Sequence, residues 1–90
     1  MLEQTVTLVN PLGLHARAAA KLVRCAAQFK SRIILHNVEA NSTANSNSIL
    51  SLLALGASLG ATLELKIEGP DEPEAADAII AMFATGFGEI

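Results

Sequence analysis

Residues 62–74 read Thr-Leu-Glu-Leu-Lys-Ile-Glu-Gly-Pro-Asp-Glu-Pro-Glu, and this stretch decides the fold class. Leu63, Leu65 and Ile67 alternate with Glu64, Lys66 and Glu68, so a strand over 62–68 turns an apolar face inward and a charged face to water. This is the most secure strand of the chain, and the elements on either side of it set the fold class. Gly69-Pro70 turns the chain. Asp71 stands where a helix cap is needed, and Glu74, three residues on, completes a capping box. The stripe Ala76, Ile79, Ile80 and Phe83 packs that helix down, and Gly86 ends it.

Upstream of the strand, Ile49-Leu50-Ser51-Leu52-Leu53 forms a short helix that Ser46, Asn47 or Ser48 could cap and Gly56 could stop. Residues 38–47 are a tract of Ser, Asn and Ala that fits a loop and equally a polar edge strand. Residues 32–36, Arg-Ile-Ile-Leu-His, read as a strand buried on both faces at its centre. From Ala16 to Phe29, Ala19, Leu22, Val23 and Ala26 recur at helical spacing, with Arg17, Lys21, Arg24 and Gln28 opposite. Residues 3–9 alternate, with Gln4, Val6 and Leu8 on one side and Thr5, Thr7 and Val9 on the other. Asn10-Pro11-Leu12-Gly13 breaks that strand. The order is an α+β pattern, with helices on one face of an antiparallel sheet.

Ninety residues make one domain, spanning 1–90, with no internal repeat. The chain is 51% hydrophobic, but 16 of those residues are alanine, which leaves 30 larger apolar groups for the core. That supplies a few helices on one sheet and not the walls of a large cofactor cavity. A net charge of −3 disfavours nucleic-acid binding, which needs a basic footprint. Cys25 is alone and makes no internal disulfide; between apolar neighbours it reads as a small core residue. Ala40 to Leu63 carries no charge, yet its apolar part starts only at Ile49, short of the ~20 residues a spanning helix needs. No basic segment followed by an apolar one opens the chain. The expectation is a cytoplasmic protein that does not insert into membranes.

Chemistry concentrates at Gly13-Leu14-His15-Ala16-Arg17. A helix N-terminus offers unpaired N–H groups and the positive end of the dipole, which favour phosphate and a neutral imidazole. Arg17 adds a fork of donors suited to phosphoryl oxygens, and Gly13 permits backbone that a side chain would block. The same residues would also serve as an ordinary helix cap beside a solvated arginine. His36, in a strand beside Leu35, reads as an edge or surface histidine.

Set between a first strand and a helix, Gly13-Leu14-His15-Ala16-Arg17 resembles the active-site signature of HPr-type phosphocarrier proteins of the bacterial phosphotransferase system. The resemblance extends to Asn47-Ser48-Ile49, Leu55-Gly56 and Glu68-Gly69-Pro70-Asp71-Glu72. The ending Phe83-Ala84-Thr85-Gly86-Phe87-Gly88-Glu89 is similar to that of the nitrogen-related branch, NPr. It implies an open-faced β-sandwich, a four-stranded antiparallel sheet covered on one face by three helices in the order β-α-β-β-α-β-α. It also implies a carrier rather than an enzyme, monomeric and without cofactor or metal. His15 would accept the phosphoryl group from enzyme I and pass it to IIA-type proteins. Arg17 would neutralise its oxygens, with Gly13, Ala16 and Ala18 in the cradle. Proline usually follows the arginine in this family; here the residue is Ala18.

Five of the six basic residues lie between Arg17 and Arg32. Arg17, Lys21 and Arg24 share one helix face, a basic patch beside His15 that steers toward acidic partners. Ile49, Leu50, Leu52 and Leu53 are too many for one buried side, so part of the set, with Ile49, Leu50 and Leu53 as the candidates, forms an apolar docking patch. Ser48 aligns with the serine that HPr kinase/phosphorylase modifies in some relatives, and is equally placed as an N-cap. A competing function is a regulatory docking module of the same fold, which controls partners according to its phosphorylation state.

Overall fold

The computed structural model describes residues 1–89. Its elements run β1 (Leu2–Thr7), α1 (Ala16–Ala26), β2 (Arg32–Asn37), β3 (Ser42–Asn45), α2 (Ile49–Leu53), β4 (Thr62–Glu68) and α3 (Glu72–Ala84), followed by a tight turn at Gly86–Gly88. The four strands form one antiparallel sheet in the order β1-β4-β2-β3. The polar tract is therefore an edge strand. Ser42–Asn45 pairs with Ile34–Asn37, and only Ala44 on it is buried.

Register follows the alternation of the sequence. Val6 stands opposite Leu63, and Leu35 and Ile33 stand opposite Leu65 and Ile67, which puts the apolar residues of three strands on one face. Leu63, Leu65 and Ile67 are wholly buried. The outer face carries Thr5, Glu64, His36 and Thr43 in one row across the sheet. There the His36 ring bonds the Thr43 hydroxyl at 2.7 Å.

The three helices cover the inner face, with α1 packed against both α2 and α3. Leu22, Ile79 and Phe83 are buried from the helix side. Full burial of an aliphatic or aromatic side chain of this size contributes about 1.5–3 kcal/mol. Asn37, at the end of β2, is buried and donates its amide to the Leu55 carbonyl, fastening the loop after α2 to the sheet.

Two local readings need correction. The helical spacing extends to Phe29, but α1 stops at Ala26. Ala27 still bonds back to Val23, while Gln28 and Phe29 bond three residues back, to Cys25 and Ala26, so the chain tightens to reach Ser31. Nor does Asp71 cap α3 through its side chain. Its carboxylate instead accepts from the backbone N–H groups of Lys30 and Ser31, both at 2.9 Å, and from the Ser31 hydroxyl. The residue that reaches back is Glu72, which accepts from Gly69 N–H at 2.9 Å, and not Glu74. Local capping lost to a long-range tie that joins the α1–β2 loop to the start of α3.

The Ser31 hydroxyl, and after it the Lys30 N–H, hold the Asp71 carboxyl below the usual aspartate range. A depressed folded-state value stabilises above the ordinary aspartate pKa of about 3.9, and that contribution is lost as pH falls through the folded value. Asp71→Asn should lower the urea midpoint at neutral pH, because an amide offers one acceptor where two oxygens now serve. It should also flatten the part of the stability loss seen below about pH 4; urea melts across pH 2–7 would measure both.

Position 18 is a second test of the local reading. His15 caps α1, and the first bond across a full helical turn runs from Ala19 N–H to the His15 carbonyl. Ala18 thus lies in the first turn, where a missing N–H costs no intrahelical bond. Ala18→Pro should be tolerated and stabilise by ~0.4–1 kcal/mol through the unfolded chain. A thermal melt that instead fell would mean that the ring does not fit against the core, where Ala18 is wholly buried.

Candidate functional site

The site is built by a turn that cannot be made by another residue at position 13. Gly13 has φ +64°, and a Cβ there would come within 2.7 Å of the Ala57 carbonyl oxygen and of Ser58 Cα. Its approach to residues 57–58 is sealed by the Leu14 N–H, which donates to the Ala57 carbonyl at 3.0 Å. Leu14 is buried, and the next side chain, His15, comes out beside the start of α1 with about a quarter of its surface exposed. His15 is extended and stands as the N-cap, where its Nδ1 accepts from the Arg17 N–H at 3.3 Å. His15 is thus the helix cap, which leaves its use as a phosphoryl acceptor a separate question.

The other ring nitrogen has a partner from the far end of the chain. His15 Nε2 lies 2.5 Å from Glu89 Oε2. Glu89 Oε1 accepts from the Asn10 side-chain amide at 2.9 Å, and that amide also donates to the Gly13 carbonyl at 2.8 Å. The tautomer follows from these partners: Nδ1 accepts and is bare, and Nε2 carries the proton that it donates to the carboxylate. The Asn10 amide, with the His15 ring and the Lys21 charge adding to it, holds the Glu89 carboxyl below its ordinary range.

Glu89 is delivered by a backbone that most residues avoid. Gly86, Phe87 and Gly88 have φ values of +61°, +57° and +76° in succession. Phe87 accepts this left-handed geometry because its ring is buried edge-on against Phe83, centroids 5.0 Å apart, and because Lys21 Nζ donates to its carbonyl at 2.7 Å. A non-glycine held in the left-handed region marks a place where the surroundings over-determine the backbone.

Of the residues singled out from sequence, Gly13, His15, Ala16 and Arg17 form one continuous site, with Ala16 and Arg17 exposed. Ala18 turns its methyl into the core, so only its backbone faces the helix start. Arg24 is exposed on α1, whereas Lys21 is drawn back onto the tail. On α2, Leu52 is buried while Ile49, Leu50 and Leu53 are 39%, 80% and 38% exposed. Ser48 caps α2, its hydroxyl accepting from Ser51 N–H at 3.2 Å. Cys25 is half-buried, and burial pushes its thiol up, away from reactivity.

Asn10 and Glu89 were not singled out from sequence. Asn10 reads as turn chemistry, and Glu89 lies 74 residues from the ring that it meets. The one available signal was an acidic residue just after Gly86-Phe87-Gly88, a spacing that only left-handed backbone turns into a reach across the surface.

No helix among the described residues is long and apolar enough to cross a membrane. The family model described as the PTS HPr component phosphorylation site matches residues 2–85. The chain is 42% identical over 89 residues to the phosphocarrier protein HPr of Cupriavidus necator, covering 99% of this chain and 98% of that one. It is 41% identical over 87 residues to the phosphocarrier protein NPr of Escherichia coli K12, covering 97% and 96%. The crystal structure of HPr-C-His from Thermoanaerobacter tengcongensis superposes with a TM-score of 0.92 at 39% identity, covering 100% of this chain and 99% of the other. With the sheet order, the histidine-capped helix and these full-length matches in agreement, the chain belongs to the HPr family of phosphocarrier proteins of the phosphotransferase system.

Proposed function

We propose that this protein takes a phosphoryl group from phosphorylated enzyme I onto His15 Nδ1 and passes it to IIA-type proteins, turning over no substrate of its own. The observation that carries this reading is His15 Nδ1 turned to the Arg17 N–H at a helix start, beside exposed Arg17. In acceptance the Nδ1 lone pair forms the new N–P bond as the donor's bond to phosphorus breaks, and onward transfer reverses the sequence. The long 3.3 Å contact from the Arg17 N–H is easily given up to an incoming phosphorus. Amides of the first turn, at Ala16, Arg17 and Ala18, then face the phosphoryl oxygens together with the Arg17 guanidinium, where negative charge spreads in the transition state. Gly13 contributes by the turn that it alone permits.

Docking has a surface of its own. Ile49, Leu50 and Leu53 expose an apolar patch on α2, which packs against α1, and Arg24 is an exposed cation of α1. A mixed surface of this kind suits transient partners, with apolar contact for affinity and charge for encounter rate. In this reading one chain suffices for transfer, since every group named lies on it, and exchange with enzyme I and IIA proteins takes place in the cytoplasm. Ser48 serves as a helix cap and is in addition the position at which a kinase of the HPr kinase type would act.

Incubation with phosphoenolpyruvate and enzyme I, followed by intact mass, tests the assignment. The wild-type chain should gain one acid-labile phosphate, and His15→Ala should gain none while keeping its circular dichroism spectrum. Arg17→Ala should fold and slow transfer by a factor of about ten to a thousand, the range for one charge-assisted contact in a transition state. Acid-labile phosphate on the His15→Ala protein would overturn the site.

A further inference from the structure

We infer that Glu89 is a positioning residue for His15, holding the ring in the tautomer that leaves Nδ1 nucleophilic and compensating the charge that the ring acquires on phosphorylation; the inference rests on the carrier reading above. A neutral imidazole that attacks through Nδ1 keeps its Nε2 proton and becomes a phosphorylated imidazolium. No proton needs to leave. The positive charge created on the ring lies against the Glu89 carboxylate at Nε2, already in place before the reaction. A preorganised opposite charge stabilises that product and the transition state leading to it, and it costs no reorganisation at the moment of transfer. In onward transfer the same contact keeps the Nε2 proton on the ring, so the leaving group is neutral imidazole rather than its anion.

Three features of the molecule point to this use over a simple fastening of the tail. First, the two carboxylate oxygens divide their work: Oε1 takes the Asn10 amide and Oε2 takes the ring. The Asn10 amide in turn holds the Gly13 carbonyl, so one side chain couples the carboxylate to the turn that carries His15. Second, the left-handed geometry at Phe87 is retained at a non-glycine position, secured by Phe83 and Lys21, and its effect is to bring residue 89 over the ring. Third, both ring nitrogens have partners that demand the same tautomer, one an N–H donor and the other an acceptor-only carboxylate.

Glu89→Gln is the discriminating variant. An amide presents one acceptor and one donor where the carboxylate presents two acceptors, so it cannot satisfy both the Asn10 amide and a protonated Nε2. Long-range proton–nitrogen correlation spectra of the His15 ring should show the Nε2–H tautomer in the wild type and a loss of that tautomer in Glu89→Gln. Phosphoryl acceptance from limiting enzyme I should slow about three- to thirty-fold, the size of one partly screened charge-assisted contact. Glu89→Ala, which removes both bonds, should slow at least as much. A Glu89→Gln protein with the wild-type tautomer and acceptance within about twofold overturns the inference, as does a lowered melting temperature with both of those readouts unmoved. The His15→Ala control separates the two levels: phosphate retained there overturns the carrier reading itself, whereas its loss beside a normal Glu89→Gln protein overturns only the role of Glu89.

Discussion

The structure depends on where β4 sits. It is bonded on one side to β1 and on the other to β2, so the two strands flanking the His15 helix are joined only through a strand from the last third of the chain. The turn at residues 10–14 and the helix that follows are thereby held between partners that the local sequence does not contain. Leu63, Leu65 and Ile67 meet that demand by burying one face of a strand whose other face stays in water. Pairing of Leu2 with Ile67 and of Thr7 with Thr62 closes long loops, so the sheet is assembled at an entropic cost that local helix formation does not share.

The same constraint sorts what could be read from the sequence. β4, α3 and α1 announced themselves because an alternating or a helical apolar pattern is a local record of a buried face. The tract over 38–47 left loop and edge strand open, since a four-residue edge that buries only Ala44 needs almost no apolar residue to mark it. The end of α1 and the task of Asp71 depart from the local pattern for a common reason. Both are set by the tie from Asp71 to Lys30 and Ser31, forty residues away, which displaces the capping box that local spacing offers.

At the site, legibility divides in the same way. Gly13, His15 and Arg17 are close in sequence, which makes the candidate site visible there, and the meaning of their spacing comes largely from a family signature rather than from chemistry. Asn10 and Glu89 were invisible. An asparagine in a turn has many uses, and a glutamate far along the chain reaches a histidine only when three successive left-handed residues bend the tail back. Lys21 shares the basic face of α1 with Arg17 and Arg24, and helical spacing does not show that its ammonium also donates to the Phe87 carbonyl.

An open sheet has two unpaired edges, and here they differ in kind. The β3 edge is four residues long, polar, and follows directly on Asn41, whose φ of +50° bends the chain at the hairpin. The β1 edge is longer, but Glu3, Thr5 and Thr7 stand outward along it, and α3 packs against the strand's inner side. Neither offers another chain a flat apolar template, so strand-by-strand growth into larger sheets is disfavoured at both ends. An exposed apolar patch lies instead on α2, at Ile49, Leu50 and Leu53, where a contact would be made by side chains and undone without breaking a ladder of backbone bonds.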